Sequence, residues 1–263
     1  MIFFSISFLA IFLYLSASFL QMRNISGGLD SNSTVKILAL SAIFCHFLIV
    51  FHTIFDVSGY NLGLYSMLSL MAFCIGVIVL LGSFRRPTSN LFLLIFPIGA
   101  ITVLLNAMFN SNSELKNEIE GGMAFHIAMS VIAYSIITIA AVQAAMLSFG
   151  DRMLRSRQLR LINSLPALET MEQIMFEMLW IGLLFLTLSI ASGFLFVEDF
   201  SGPGVIHHIV LAIAAWLVFA LLVIGRKHLG WRGIVASRWT VVGFILLALG
   251  YFGSKFVMEL LLN

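Results

Sequence analysis

With 263 residues, 61% of them hydrophobic and only 10% charged, the chain falls far short of the about 25% charged residues of a soluble domain. A mean hydropathy of +1.08, and length for several stretches of about 20 apolar residues that each cross about 30 Å of hydrocarbon, exclude a water-soluble protein. The formal net charge of +2 says little by itself, and no nucleic-acid partner is expected.

Eight apolar runs follow one another, at about residues 2–20, 36–55, 64–82, 91–109, 123–148, 174–196, 207–225 and 239–260. Charges, Gly, Pro and Asn fill the separators, as in loops. No alternating polar–apolar pattern appears, which excludes a membrane barrel and leaves an all-α bundle. The chain therefore reads as a single integral membrane domain over residues 1–263, a polytopic bundle of about eight transmembrane helices.

The first run, MIFFSISFLAIFLYLSASFL, has no basic start and no cleavage site, and is predicted to be a retained span. Cys45 and Cys74 lie inside the second and third runs. Neither belongs to a Cys-x-x-Cys or Cys-x-x-Cys-His pattern, so thiol oxidoreductase chemistry and covalent c-type haem are excluded, and both read as small buried residues. Pro97, within the fourth run, predicts a kink. The longest connection, residues 149–173, holds Arg152, Arg155, Arg157 and Arg160, which suit anionic head groups or a cytosolic partner and serve equally as a plain topological signal. Within it, Ser164 to Glu172 opens an amphipathic stretch. Gly182, Gly193, Gly243, Gly250 and Gly253 offer small surfaces for close helix contact.

Lys and Arg set the orientation. Arg23, Lys36, Arg85, Arg86, Arg152, Arg155, Arg157, Arg160, Arg226, Lys227, Arg232 and Arg238 fall after runs 1, 3, 5 and 7, which is twelve of the fourteen basic residues. Lys116 stands alone after runs 2, 4 and 6, among Asp56, Glu114, Glu118, Glu120, Glu198 and Asp199, and Lys255 lies near the outer end of run 8. Both termini are predicted outside.

On that orientation the six histidines sort by depth. His126 opens run 5 and the pair His207–His208 opens run 7, where an acidic loop gives way to apolar sequence, all near the outer surface. His52 lies in the outer third of run 2, His46 nearer its middle, and His228 at the inner face. A polar group at mid-membrane is expensive, so His46 needs a partner. Neighbours on a helix diverge by about 100°, so only one of His207 and His208 can face a site between helices. His46 and His52 are separated by about 9 Å along the axis and cannot both serve one site. Zinc would want three or four ligands, usually with thiolate or carboxylate, and Glu120, Glu198 and Asp199 are loop residues. Haem asks for one or two axial imidazoles and a large apolar envelope, which a bundle with 25 Phe supplies. Met123 and Met129, beside His126, are alternative soft ligands or simple packing.

Three stretches, CHFLIVFHTIF…NLGLYSMLSLMAF, FHIAMSVIAYSI and AWLVFALLVIGRKHLGWRG…VGFILLALGYFGSKFV, resemble the cytochrome c assembly superfamily of haem-handling membrane proteins, in particular its short YpjD-type members. The resemblance covers nearly the whole chain. His126, Ser130 and Tyr134 are similar to the element that holds an external axial histidine in the synthetase-type relatives, and His46 matches a transmembrane histidine more loosely. The chain departs from those relatives in three places: FVEDFSGPGVIHH replaces their Trp-rich external segment, no further external histidine follows in GSKFVMELLLN, and Ile224 occupies the place of an inner histidine, with His228 one turn away. The resemblance implies non-covalent haem b, with His126 and His208 (or His207) as axial ligands of the iron. It also implies His46 and His52 as further positions for the cofactor, a bacterial inner-membrane location, and cytochrome biogenesis proteins and membrane lipid as partners. Synthetase activity is not expected without the Trp-rich segment.

The alternative from another class is a non-catalytic scaffold or regulator that binds a partner through its basic inner loops. An ion carrier finds little support, because almost no carboxylate, Lys or Arg lies in mid-span. No nucleophile–base pair, phosphate loop or metalloprotease helix is present.

Overall fold

The computed structural model describes residues 2–25, 32–56, 59–109, 119–156, 166–197 and 205–257. Among the described residues eight helical stretches are long and apolar enough to cross a membrane, the fourth counted from the 3-10 turn at Ser89 and the eighth through to Phe256. They are α1 (Ile2–Ile25), α2 (Asn32–Ile54), α3 (Leu64–Gly82), α4 (Phe92–Met108), α5 (Gly121–Arg155), α6 (Leu168–Phe196), α7 (Val205–Leu229) and α8 (Gly233–Ala248). Beyond α8 the helix continues through a wide π turn, Leu249–Gly253, into Ser254–Phe256. A two-residue ribbon, β1 (Phe55–Asp56) against β2 (Gly59–Tyr60), links α2 to α3, with Phe55 opposite Tyr60. Arg157, Arg160, Lys116, Glu114, Glu118, Glu198 and Asp199 lie outside the described residues, as do most of the FVEDFSGPG stretch and the last six residues.

Several helices outrun their apolar stretches. α5 has 35 residues, about 50 Å at the usual rise, against about 30 Å of hydrocarbon. Its charged end carries Asp151 and Arg155, whose Oδ2 and Nε lie 2.7 Å apart one turn from each other. Arg152 and Arg155 thus sit on a helix rather than in the predicted loop, and so does Arg238, inside α8. Hydropathy marks where lipid ends; backbone hydrogen bonding carries the helix further.

The chain divides into two compact units, residues 1–118 with 164–166, and residues 119–163 with 167–263. In the first, α1 packs on α2 and α4, and α3 closes the ring between them. α1 buries Ser7, Ala10, Tyr14, Ala17 and Gln21, spaced three and four apart, and leaves Phe4, Phe8, Phe12 and Phe19 exposed. Small and polar residues inside with large apolar ones outside suit helices whose surroundings are as apolar as their core. Pro97 lies within α4, where its ring removes the bond to the Leu93 carbonyl. Ser18 Oγ on α1 donates to that carbonyl at 3.5 Å, so the helix runs on with its freed acceptor engaged.

The second unit is also a ring: α5 lies along α6, α6 meets α7, α7 meets α8, and α8 returns to α5. The α5–α6 approach is close because Gly182 has no side chain; a Cβ there would stand 2.7 Å from Ile137 Cγ1. Trp216 Nε1 on α7 donates to Thr187 Oγ1 on α6 at 2.8 Å.

Candidate functional site

The site of the second unit starts from the spacing on α5. His126, Ser130 and Tyr134 recur every fourth residue and so share one face of the helix. That face meets α6, where Ser189 and Ser192 stand one turn apart. The His126 Nδ1–H donates to the Ser189 carbonyl at 2.9 Å, and Ser192 Oγ lies 3.3 Å from the same nitrogen while donating to the same carbonyl. Ser130 Oγ donates to the His126 carbonyl at 2.8 Å and lies 2.7 Å from Ser189 Oγ. Gly193 makes room for the ring, since a Cβ there would come within 3.0 Å of His126 Cε1.

A carbonyl can only accept, so Nδ1 carries the proton and Nε2 of the neutral ring keeps its lone pair. An imidazole fixed through Nδ1 by a carbonyl is a common arrangement for a metal-ligating histidine.

α7 supplies the second imidazole. His208 lines the same pocket as His126, together with Tyr134, Leu186, Ile209 and Ala212. The pocket is lined almost wholly by apolar surface and holds a cavity of about 80 Å³ that is open on one side. His208 Nδ1 is buried there beside the Gly250 backbone, without a well-aligned hydrogen bond to it. The ring packs edge-on against Tyr251, centroids 5.9 Å apart, on the π turn that follows α8. The Tyr134 ring also packs on Tyr251, centroids 5.7 Å apart, and its hydroxyl donates to the Leu247 carbonyl in the last turn of α8 at 3.1 Å. Single π turns within α-helices occur frequently at functional sites.

The other histidines are placed differently. His207 is exposed on the neighbouring face of α7. His46 is fully buried in the first unit with both ring nitrogens engaged: Nδ1 is 3.0 Å from Tyr14 Oη and Nε2 is 2.9 Å from Ser69 Oγ. It fastens α1, α2 and α3 and keeps no lone pair for a metal. His52 is exposed at the end of α2, its ring 5.2 Å from that of Phe3 in an edge-on contact. Neither lines the pocket of His126 and His208, nor do Met123 and Met129. His228 is exposed in the last turn of α7. Among the described residues no group of three or more His, Cys, Asp or Glu is placed to hold a metal ion.

Ser189, Ser192 and Tyr251 are the parts that sequence reasoning missed. The signal was available in Ser189-Ile-Ala-Ser192-Gly193, small polar residues at helical spacing inside an apolar run. Only the packing of α5 on α6 gives that pair its meaning.

Eight apolar spans, with a pocket between three of them lined by two imidazoles, place the chain in the class of polytopic membrane proteins. The chain belongs to the family described as cytochrome C assembly protein, whose model matches residues 1–262. It is similar to the inner membrane protein YpjD of Escherichia coli K12, 32% identical over 205 residues and 78% of each chain. It is similar also to an uncharacterized 28.8 kDa protein in the nifR3-like 5' region of Azospirillum brasilense, 32% identical over 141 residues and 52% of each chain. Protein HemX of Brevibacillus brevis is 24% identical over 182 residues, 68% of this chain and 60% of that protein. No solved structure matches at a significant level.

Proposed function

We propose that this inner membrane protein binds haem b non-covalently in the pocket between α5, α6 and α7, with His126 and His208 as axial ligands, and that it handles haem in cytochrome c assembly. One observation carries the reading: His126 is held through Nδ1 by the Ser189 carbonyl, and a second imidazole, His208, lines the same apolar pocket. The donor set suits haem iron, which needs one or two imidazoles and an apolar envelope, better than zinc, which needs more ligands. Membership of the cytochrome c assembly family and the likeness to YpjD and HemX support the same reading.

When bound, haem supplies a redox-active iron centre. The chain's own contribution is positional. Ser189 and Ser192 orient the His126 ring, Gly193 leaves space for it, and Leu186, Ile209 and Ala212 exclude water. Tyr251 and the π turn hold the His208 ring against the pocket wall. His207, exposed one residue away, is not a ligand in this reading.

Titrating haem into the purified protein in detergent tests the assignment. His126→Ala and His208→Ala should each weaken binding by on the order of tenfold or more, while His207→Ala should leave it unchanged. Equal affinity in all four proteins would move the site elsewhere.

A further inference from the structure

A second cleft lies at the opposite, arginine-rich end of the same unit, where α5, α6, α7 and α8 meet. Asp151, Glu169, Glu172, Arg226 and Arg232 line it, above apolar Leu147, Leu168 and Ile234. Its cavity measures about 550 Å³ and is open to solvent.

The charges in this cleft are unequally partnered. Glu172 is committed: its Oε2 accepts from the Gly233 N–H at 2.8 Å and its Oε1 lies 3.8 Å from Arg232 Nε. That bond fixes the start of α8, where Gly233 takes a φ of 58° that favours glycine. Asp151 pairs with Arg155. Arg226 differs. Its guanidinium carbon lies over the Phe176 ring, 3.8 Å from the centroid, and its Nη1 is buried with no hydrogen-bond acceptor. Arg226 as a whole is half-buried, and the ring face compensates only in part for the sealed Nη1–H that lacks an acceptor. Glu169 is exposed in the first turn of α6, and Arg232, largely exposed beside Glu172, has further N–H donors directed away from that pair.

We propose that this cleft binds the head group of a zwitterionic aminophospholipid, its phosphate on Arg226 and Arg232 and its ammonium on Glu169. The phosphate supplies the acceptor that Arg226 Nη1 lacks, in a charge-assisted, planar-fork geometry for which guanidinium is suited. Glu169, an exposed carboxylate lining the same cleft, disfavours a purely anionic head group and favours one with a cationic substituent. The apolar floor of Leu147, Leu168 and Ile234 suits the glycerol and first acyl carbons, which a soluble phosphate compound does not have. The Lys/Arg-rich ends of the helices are also where a bilayer places its head groups. This site is independent of the haem pocket.

The test compares wild type, Arg226→Gln, Arg226→Lys and Glu169→Gln, each as the full chain. Native mass spectrometry after exchange into nanodiscs of equal phosphatidylethanolamine and phosphatidylglycerol reads which lipid stays bound, and thermal unfolding checks the fold. Wild type should retain phosphatidylethanolamine on the order of tenfold over phosphatidylglycerol. Arg226→Gln should lose the bound lipid, Arg226→Lys should keep part of it, and Glu169→Gln, at an exposed site, should erase the preference while keeping the fold. Equal retention of the two lipids by wild type, or an unchanged preference in Glu169→Gln, overturns the proposal. So does inorganic phosphate stabilising the protein as much as phosphatidylethanolamine, because the anion would then come from solution.

Discussion

His46 and His126 are the same chemical group given opposite tasks by their neighbours. His46 has a hydroxyl on each nitrogen, from Tyr14 and Ser69, and is sealed from solvent. His126 has a carbonyl on one nitrogen and the pocket on its other side. His46→Phe therefore removes a double cross-link and leaves two buried hydroxyls without partners, at a cost of about 1–3 kcal/mol for each group left unsatisfied. The expected result is a lowered unfolding temperature with haem binding retained in the protein that stays folded. A normal unfolding temperature combined with lost haem would make His46 a ligand instead.

At the scale of the element, the helices were legible in the sequence and their faces were not. Eight apolar runs stand out because about 20 such residues are what a bilayer demands. Which side of each helix packs inward was hidden, because lipid and core are equally apolar. On α1 the answer is inverted from that of a soluble helix, with Tyr14, Ala10 and Ser7 inside and Phe8 and Phe12 outside. For the same reason the pair His207–His208 could be narrowed to one inward ring but not assigned. The helix ends were misjudged where charged residues continue a helix, as in the last turns of α5 and the start of α8 at Gly233. Close packing at this scale depends on missing side chains. Gly182→Leu would drive its side chain into Ile137 and separate α5 from α6, with overpacking costing about 1–3 kcal/mol. Because Ser189 rides on α6, the same change should weaken haem binding along with stability. A variant that unfolds earlier yet binds haem as wild type would show that the α5–α6 spacing does not set the site.

Taken whole, the molecule is built from two units with the same plan, four helices each closed into a ring in chain order. The first unit centres on a buried His46–Tyr14–Ser69 set, the second on a pocket. The distribution of Lys and Arg predicts both termini on the outer side. Single cysteines introduced near either terminus, on a Cys45→Ala, Cys74→Ala background, should react with a membrane-impermeant thiol reagent added to intact cells. A cysteine near Arg85 should react only after the membrane is opened. The reverse pattern would invert the orientation and place His126 and His208 at the inner face.

The most direct measurement is the absorption spectrum of the full-length protein, extracted in mild detergent from cells well supplied with haem. The account predicts a Soret band with the narrow visible bands of six-coordinate, low-spin haem, absent from the folded His126→Ala, His208→Ala double variant. A colourless wild-type preparation, or a spectrum unchanged in that double variant, would contradict it.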